Sequence, residues 1–325
     1  GICDAGDVCP DGDDYDDADG DGMPNACDVD IALVEDVPNF VSFYALPDDN
    51  SIENVLGGIV DFGPQVYGEA ISASYIDGMW IGSLRTIERE SGYWIVLVNG
   101  STVLEVQGTP TDPALVYNLH EGTSGVSYPF VGSSPVSETI PIEAQEYIEA
   151  ILGEGAATLN NGDYGWVGGL LELSGSNGYW FVTNAEVSFS FNPPVEGAAR
   201  MVSPIRSVPL EYSFKQSTQQ AFYFIDNATI SGEPIEKEDL IIAYNGDVRV
   251  GSRYWYGNVT DVPAMGTDGS DTYAGYCSLG DKISFKVLDA SSGNLIEMIV
   301  DGETSWNNNG FSIISLSEQQ ILPEE

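Results

Sequence analysis

Apolar residues along this chain fall in short runs or alternate with polar ones. Examples are Tyr93-Trp94-Ile95-Val96-Leu97-Val98, Val103-Leu104-Glu105-Val106 and Tyr179-Trp180-Phe181-Val182, with clusters of Gly, Asn, Asp and Pro between such runs. Period-two patterning bounded by turn residues predicts strands joined by tight connections. Two stretches, 51–56 and 143–152, predict a helix instead. In the second, Ile148, Ile151 and Leu152 share one face of a helix, opposite Glu146 and Glu149. Beyond residue 205 the pattern predicts strands at 220–225, 240–244, 248–250, 283–288, 295–299 and 311–316. Asn245-Gly246-Asp247 and Ser291-Ser292-Gly293-Asn294 supply hairpin turns between them. Roughly seven or eight strands over about 110 residues predict a β-sandwich. No apolar run reaches the roughly 18–20 residues that span a bilayer as a helix.

The middle of the chain is duplicated. Residues 66–94 and 151–180 share Gly-Glu (Gly68-Glu69, Gly153-Glu154), then Trp-x-Gly (Trp80, Gly82; Trp166, Gly168), then Gly-Tyr-Trp (Gly92-Tyr93-Trp94, Gly178-Tyr179-Trp180). Upstream, Val41-Ser42-Phe43-Tyr44 matches Val126-Ser127-Tyr128-Pro129. The offset is 85 residues early and 86 late, which places one inserted residue near Asp163. The fold expected is therefore mainly β. Tandem β-modules are predicted at 35–112 and 113–196, a C-terminal β-sandwich at 197–325, and an irregular Asp-rich segment at 1–34.

Charge narrows the partners. The 325 residues carry 51 Asp and Glu against 10 Lys and Arg, a formal net charge of −41. Nucleic-acid binding is excluded, because ten cations cannot form the basic stripe that displaces counterions, and anionic membrane surfaces are disfavoured for the same reason. A content of 42% apolar and 11% aromatic residues supports folded cores rather than disorder. The charge is uneven: eleven Asp and no Lys or Arg occupy residues 1–30, whereas eight of the ten cations lie beyond residue 199.

The acidic start has almost nothing apolar to bury, so a disulfide or a metal must order it. Of Cys3, Cys9, Cys27 and Cys277, the preferred pair is Cys9 with Cys27. Cys3 and Cys277 are left to each other, to an upstream segment or unpaired, since spacing alone does not settle pairing. From Asp17 to Asp28 the chain reads DADGDGMPNACD. Asp17, Asp19, Asp21 and Asp28 take positions 1, 3, 5 and 12 of an EF-hand-type loop. Gly22 stands at position 6, where the chain must turn sharply, and Met23 at position 7 can offer its backbone carbonyl. Such spacing wraps hard oxygens around one point, and a cation there relieves their repulsion. Calcium (Ca2+) is the expected cofactor. Pro10 and Pro24 exclude flanking helices, so a paired EF-hand is not expected.

The stretch CPDGDDYDDADGDGMPNACD, from Cys9 to Asp28, resembles a thrombospondin type 3 repeat, in which Asp-rich loops wind around calcium and are stapled by cysteines. The resemblance covers about a tenth of the chain and includes only about one repeat. It implies that Asp17, Asp19, Asp21 and Asp28 are metal ligands and that Asp11, Asp13 and Asp16 belong to a neighbouring, less complete site. The duplicated Gly-Tyr-Trp unit is similar to repeated modules of large secreted bacterial surface proteins. The C-terminal part is similar to a β-module near the ends of extracellular bacterial proteins. Both likenesses imply location rather than activity.

Other candidate chemistry is thin. Trp80, Trp166 and Trp255 are candidate platforms for glycans, although aromatics repeated at equivalent places in small β-units more often form the core. Thr267-Asp268-Gly269-Ser270-Asp271 offers only two carboxylates for a second calcium loop. His120, the single histidine, sits in Asn118-Leu119-His120-Glu121-Gly122 without a hydrolase or metalloprotease motif, and Cys277 has no nearby base. No enzyme is expected. No leader is visible ahead of Cys3, and the expectation is a processed, secreted chain or a piece of a longer one. The sequons at Asn99, Asn227 and Asn258 are compatible with that. The function expected is a calcium-stabilised structural or adhesive protein of a cell surface or extracellular filament, whose partners are other copies of itself or cell-surface components. The alternative is a carbohydrate-binding accessory region of a larger secreted enzyme.

Overall fold

Alternation and turn chemistry build a mainly β protein. The computed structural model describes residues 9, 13–162, 165–194 and 203–318. The first copy forms a five-stranded sheet from β2 (Asn39–Val41), β3 (Gln65–Tyr67), β4 (Ser72–Ile76), β5 (Met79–Gly82) and β6 (Tyr93–Val96), in the order β2-β6-β3-β4-β5. A separate antiparallel ribbon pairs β1 (Asp28–Leu33) with β7 (Thr102–Gln107). The second copy repeats both parts. Its ribbon joins β8 (Tyr117–Leu119) to β14 (Val187–Phe189). Its sheet, from β9 (Gly122–Val126), β10 (Ile148–Leu152), β11 (Ala157–Asn160), β12 (Trp166–Gly168) and β13 (Tyr179–Thr183), runs β9-β13-β10-β11-β12. The strand orders correspond one to one, so the duplication read in the sequence is a duplication of topology.

The repeated motifs have physical reasons. In each Trp-x-Gly the glycine has a positive φ, +150° at Gly82 and +136° at Gly168. A Cβ there would lie 2.1 Å from the Ser72 carbonyl oxygen and 2.3 Å from that of Ala157. The chain then bends so that two successive N–H groups, Ser83 and Leu84 or Gly169 and Leu170, donate to that one carbonyl. In each Gly-Tyr-Trp the tyrosine is buried and its hydroxyl accepts a backbone N–H, from Glu88 to Tyr93 (2.8 Å) and from Ser174 to Tyr179 (2.7 Å).

The two copies exchange equivalent contacts. Ser42 N–H donates to the Ser176 carbonyl (3.1 Å), and its counterpart Ser127 N–H donates to that of Glu90 (2.9 Å). Glu154 accepts the Phe40 N–H (3.1 Å), and its counterpart Glu69 accepts the Gly125 N–H (3.0 Å). The copies therefore face each other about a local two-fold. Phe40 lies between the two repeated indoles, stacked on Trp94 at 4.3 Å and tilted to Trp180 at 5.6 Å. The motif glycines meet there: a Cβ on Gly92 would sit 3.1 Å from the Gly178 Cα, and one on Gly178 would sit 2.7 Å from the Val41 carbonyl oxygen.

The expected helix at 51–56 is present as the single turn Ile52–Val55. The expected helix at 143–152 is corrected: only Ile142–Gln145 is helical, and Ile148–Leu152 is strand β10. A bulge explains the misleading pattern. Ile148 pairs with Thr183 while Ala150 pairs with Val182, so Glu149 is an extra residue and the i, i+3 spacing of Ile148 and Ile151 arises within a strand.

Contacts divide the chain into two compact units, the first holding both copies apart from 155–159 and 167–170. The second takes those stretches together with the C-terminal strands β15 (Gln220–Ile230), β16 (Leu240–Asn245), β17 (Val248–Tyr254), β18 (Thr260–Met265), β19 (Ile283–Leu288), β20 (Leu295–Asp301) and β21 (Phe311–Glu318). These form a curled, sandwich-like sheet in the order β15-β21-β20-β19-β16-β17, with β18 on the other edge of β15. Its core includes Tyr223, Phe285, Trp255 and Trp306. Asp261 is wholly buried in this unit, yet fully partnered. It accepts from Tyr256 Oη (2.6 Å), Ala157 N (2.8 Å) and Arg253 Nη2 (3.3 Å), so the buried charge is matched by a cation and hydrogen bonds.

One contact between the copies titrates. Glu69 Oε1 lies 2.6 Å from His120 Nε2, so its hydrogen bond, then that of the Glu121 carbonyl, hold the imidazole pKa above its ordinary value. A histidine raised on folding adds stability that is complete below about pH 6.5 and fades as pH rises through its folded pKa. Because His120 is the only histidine, its proton NMR titration is free of overlap. A midpoint above about 6.5 is expected, falling toward the ordinary value in Glu69→Gln; an unchanged midpoint in that variant would refute the pairing.

Candidate metal centre

The Asp-rich segment is shaped by its own side chains. Asp17 accepts the Gly20 N–H at Oδ1 (2.7 Å) and the Gly22 N–H at Oδ2 (3.0 Å). Asp19 accepts from Asp21 N (3.1 Å), and Asp21 from Met23 N (2.7 Å). Gly20 and Gly22 take φ of +80° and +95°, conformations in which other side chains are strained, so the chain turns tightly around the carboxylates. Asn25 closes the loop: its N–H donates to the Asp16 carbonyl (2.7 Å) and its Oδ1 accepts from Ala18 N (2.9 Å).

This winding brings carboxylate oxygens of Asp17, Asp19 and Asp21 within 4.8 Å of one another, an arrangement able to hold a metal ion. Asp28, expected to close the same loop at position 12, instead opens strand β1 and groups with Asp19 and Asp30, again within 4.8 Å. Met23 lies in the loop, where its N–H serves Asp21. Asp13 and Asp16 shape the preceding turn, the Asp16 N–H donating to the Asp13 carbonyl (3.0 Å), and neither joins an acidic group among the described residues. Asp11 and Cys3 lie outside the described residues.

The loop is closed by one link and fastened to the first module by two. Cys9 and Cys27, both buried, are at disulfide distance with sulfurs 2.07 Å apart. Gln107 on β7 donates to Asp21 Oδ2 (3.2 Å). The Tyr44 hydroxyl donates to the Asp28 carbonyl.

Electrostatics set this corner apart. Burial, then the neighbouring charges of Asp30, Asp21, Asp19 and Glu105, push the Asp28 carboxyl up to about 6. Burial, then Asp19, Glu105 and Asp21, raise Asp30. Burial, then Asp28 and Asp30, push the Tyr44 hydroxyl up to about 12. Every charge acting on the two aspartates is negative, and the first cationic side chain in the chain is Arg85. Asp28 as a residue is only 8% exposed, and its Oδ1 is enclosed without a hydrogen-bond partner among the described residues. An ionised oxygen in that position calls for a cation, so the residues present fit a bound metal.

Asp30 and Glu105 escaped the sequence reading. Strand periodicity could have found Asp30, since Asp28-Val29-Asp30 sends both carboxylates to one face of β1. Glu105 becomes a neighbour only through pairing, directly opposite Asp30.

Other candidates are placed elsewhere. Trp80 and Trp255 lie in hydrophobic cores, where an indole face cannot stack on a sugar. Trp166 is half-buried and donates from Nε1 to Gln145 (3.1 Å). In the turn at Thr267–Asp271, Asp268 Oδ1 accepts the Ser270 N–H (2.8 Å). Cys277 is buried, and burial, then Asp281, push its thiol up to about 12, far from a reactive thiolate. No protein family, curated protein or solved structure matches this chain.

The disulfide pre-closes the loop. Freeing an 18-residue separation adds about 3 kcal/mol of chain entropy for an ion to overcome. The Cys9→Ser/Cys27→Ser double variant is therefore expected to bind divalent cation about a hundredfold more weakly by calorimetry. Unchanged affinity would show that the loop is pre-formed without the link.

Proposed function

We propose that this chain is a secreted, calcium-stabilised structural or adhesive protein of a cell surface or extracellular filament, associating through its β-modules with other copies or with cell-surface components. The convergence of Asp17, Asp19 and Asp21 carries this reading. Three hard carboxylates on a glycine-hinged loop suit calcium, which takes six to eight oxygens in flexible geometry, better than metals that prefer nitrogen or sulfur. The Cys9–Cys27 pair and the lack of a helix long and apolar enough to cross a membrane among the described residues are compatible with an extracellular setting. The module pair supports a structural role, because the glutamates of its repeated Gly-Glu motifs are spent on joining one copy to the other.

A non-enzymatic role is part of this proposal, supported by how two candidate groups are engaged. His120 is committed to Glu69 at the surface, and the buried Asp261 is committed to Arg253 and Tyr256. The accessory carbohydrate-binding reading loses its platform where Trp80 and Trp255 are buried.

The test is electron microscopy of native material, with calcium and after chelation. Ordered assemblies that disperse in chelator are expected. Monodisperse single chains under both conditions would reject the assembling role.

A further inference from the structure

The second acidic group makes a site of its own. We propose that Asp19, Asp28 and Asp30, joined by Glu105 from across the ribbon, hold a second divalent cation that shares Asp19 with the loop ion and clamps the Asp-rich loop to the β1–β7 ribbon. The proposal rests on the loop reading for the identity of the ion, calcium, but its residues lie largely outside that loop.

Three observations converge on it. Carboxylate oxygens of Asp19, Asp28 and Asp30 lie within 4.8 Å of one another, so a point between them is at most about 2.8 Å from each. A contraction of a few tenths of an ångström gives calcium–oxygen distances of about 2.3–2.6 Å, whereas magnesium at about 2.0–2.1 Å needs a larger collapse. Next, Asp28 Oδ1 is enclosed and has no hydrogen-bond partner among the described residues, in a residue only 8% exposed, so a cation would stabilise its ionised form. Last, β1 and β7 place Asp30 directly opposite Glu105. Like charges at opposed positions weaken a two-stranded ladder, and a cation between them turns that repulsion into a cross-link.

The charge balance favours more than one ion. Asp17, Asp19, Asp21, Asp28 and Asp30 fall in two groups that overlap at Asp19, and with Glu105 opposite Asp30 they carry six negative charges when ionised. One divalent ion leaves −4 and two leave −2. The ligands also divide by element: Asp17 and Asp21 belong to the loop alone, whereas Asp28 and Asp30 belong to β1 and Glu105 to β7. The first ion orders the loop, and the second fixes where the loop sits on the module.

Calorimetric titration of the chelator-stripped full chain with calcium chloride tests this, using wild type, Asp30→Asn, Glu105→Gln and Asp21→Asn. Two ions are expected in wild type. Asp30→Asn should abolish one while leaving the other, and Glu105→Gln should weaken that same one at least tenfold. Asp21→Asn should weaken the remaining ion instead. Asp30 is exposed, so its substitution leaves the core intact, and Glu105→Gln reads the same site from the opposite strand should Asp30→Asn misfold. A single ion, lost in Asp21→Asn and indifferent to Asp30→Asn and Glu105→Gln, would overturn the second site while leaving the loop reading in place. No binding by any form would overturn both.

Discussion

Repulsion among carboxylates, with no cationic side chain acting on them among the described residues, governs this protein's acidic N-terminal corner. Elsewhere the chain balances its few buried charges internally, as Asp261 does with Arg253 and Tyr256. Around Asp28 it does not: each charge acting on Asp28 and Asp30 is another carboxylate, and no Lys or Arg precedes Arg85. Two unit charges about 4 Å apart repel by about 4 kcal/mol at the effective dielectric of a protein surface. A loop that gathers several of them can keep its shape only by protonation or by a bound cation. The disulfide, Gln107 and Tyr44 hold the backbone in place but neutralise nothing.

The modules that carry this loop are held by a different economy of contacts. Each copy hides its own core, and the Gly-Glu and Gly-Tyr-Trp motifs are then used between copies, where Glu69 and Glu154 each cap a backbone N–H of the other unit. Gly92 and Gly178 allow the two backbones to approach and leave room for Phe40 beside both indoles. A repeat that meets its own copy across a local two-fold is a surface already suited to self-association, and here the chain satisfies it internally. Under the proposed role, assembly between chains would use other faces. The exposed apolar residues Ile76, Met79 and Ile81 on the β4–β5 hairpin are of the type such faces use.

Much of this was legible in the sequence because it is local or repeated. The Asp17, Asp19, Asp21 register needs only alternation and two glycines, and the duplication itself needs only the 85- and 86-residue offsets. What escaped depends on pairing. Ile148–Leu152 mimicked a helix because the bulge at Glu149 gives a strand helical spacing. Asp28 filled loop position 12 by count, yet it begins a strand whose partner, Thr102–Gln107, is more than seventy residues away. Glu105 joins the acidic corner only through that partner, and no pattern within a short window contains it.

That a cation, rather than the covalent link alone, orders the acidic corner is the central claim. Amide hydrogen exchange of the full chain with and without calcium measures this directly. Calcium is predicted to slow exchange at Gly20, Gly22 and Met23 and along β1, while leaving the core strand β15 unchanged. Equal exchange at those loop amides in calcium and in chelator would contradict it.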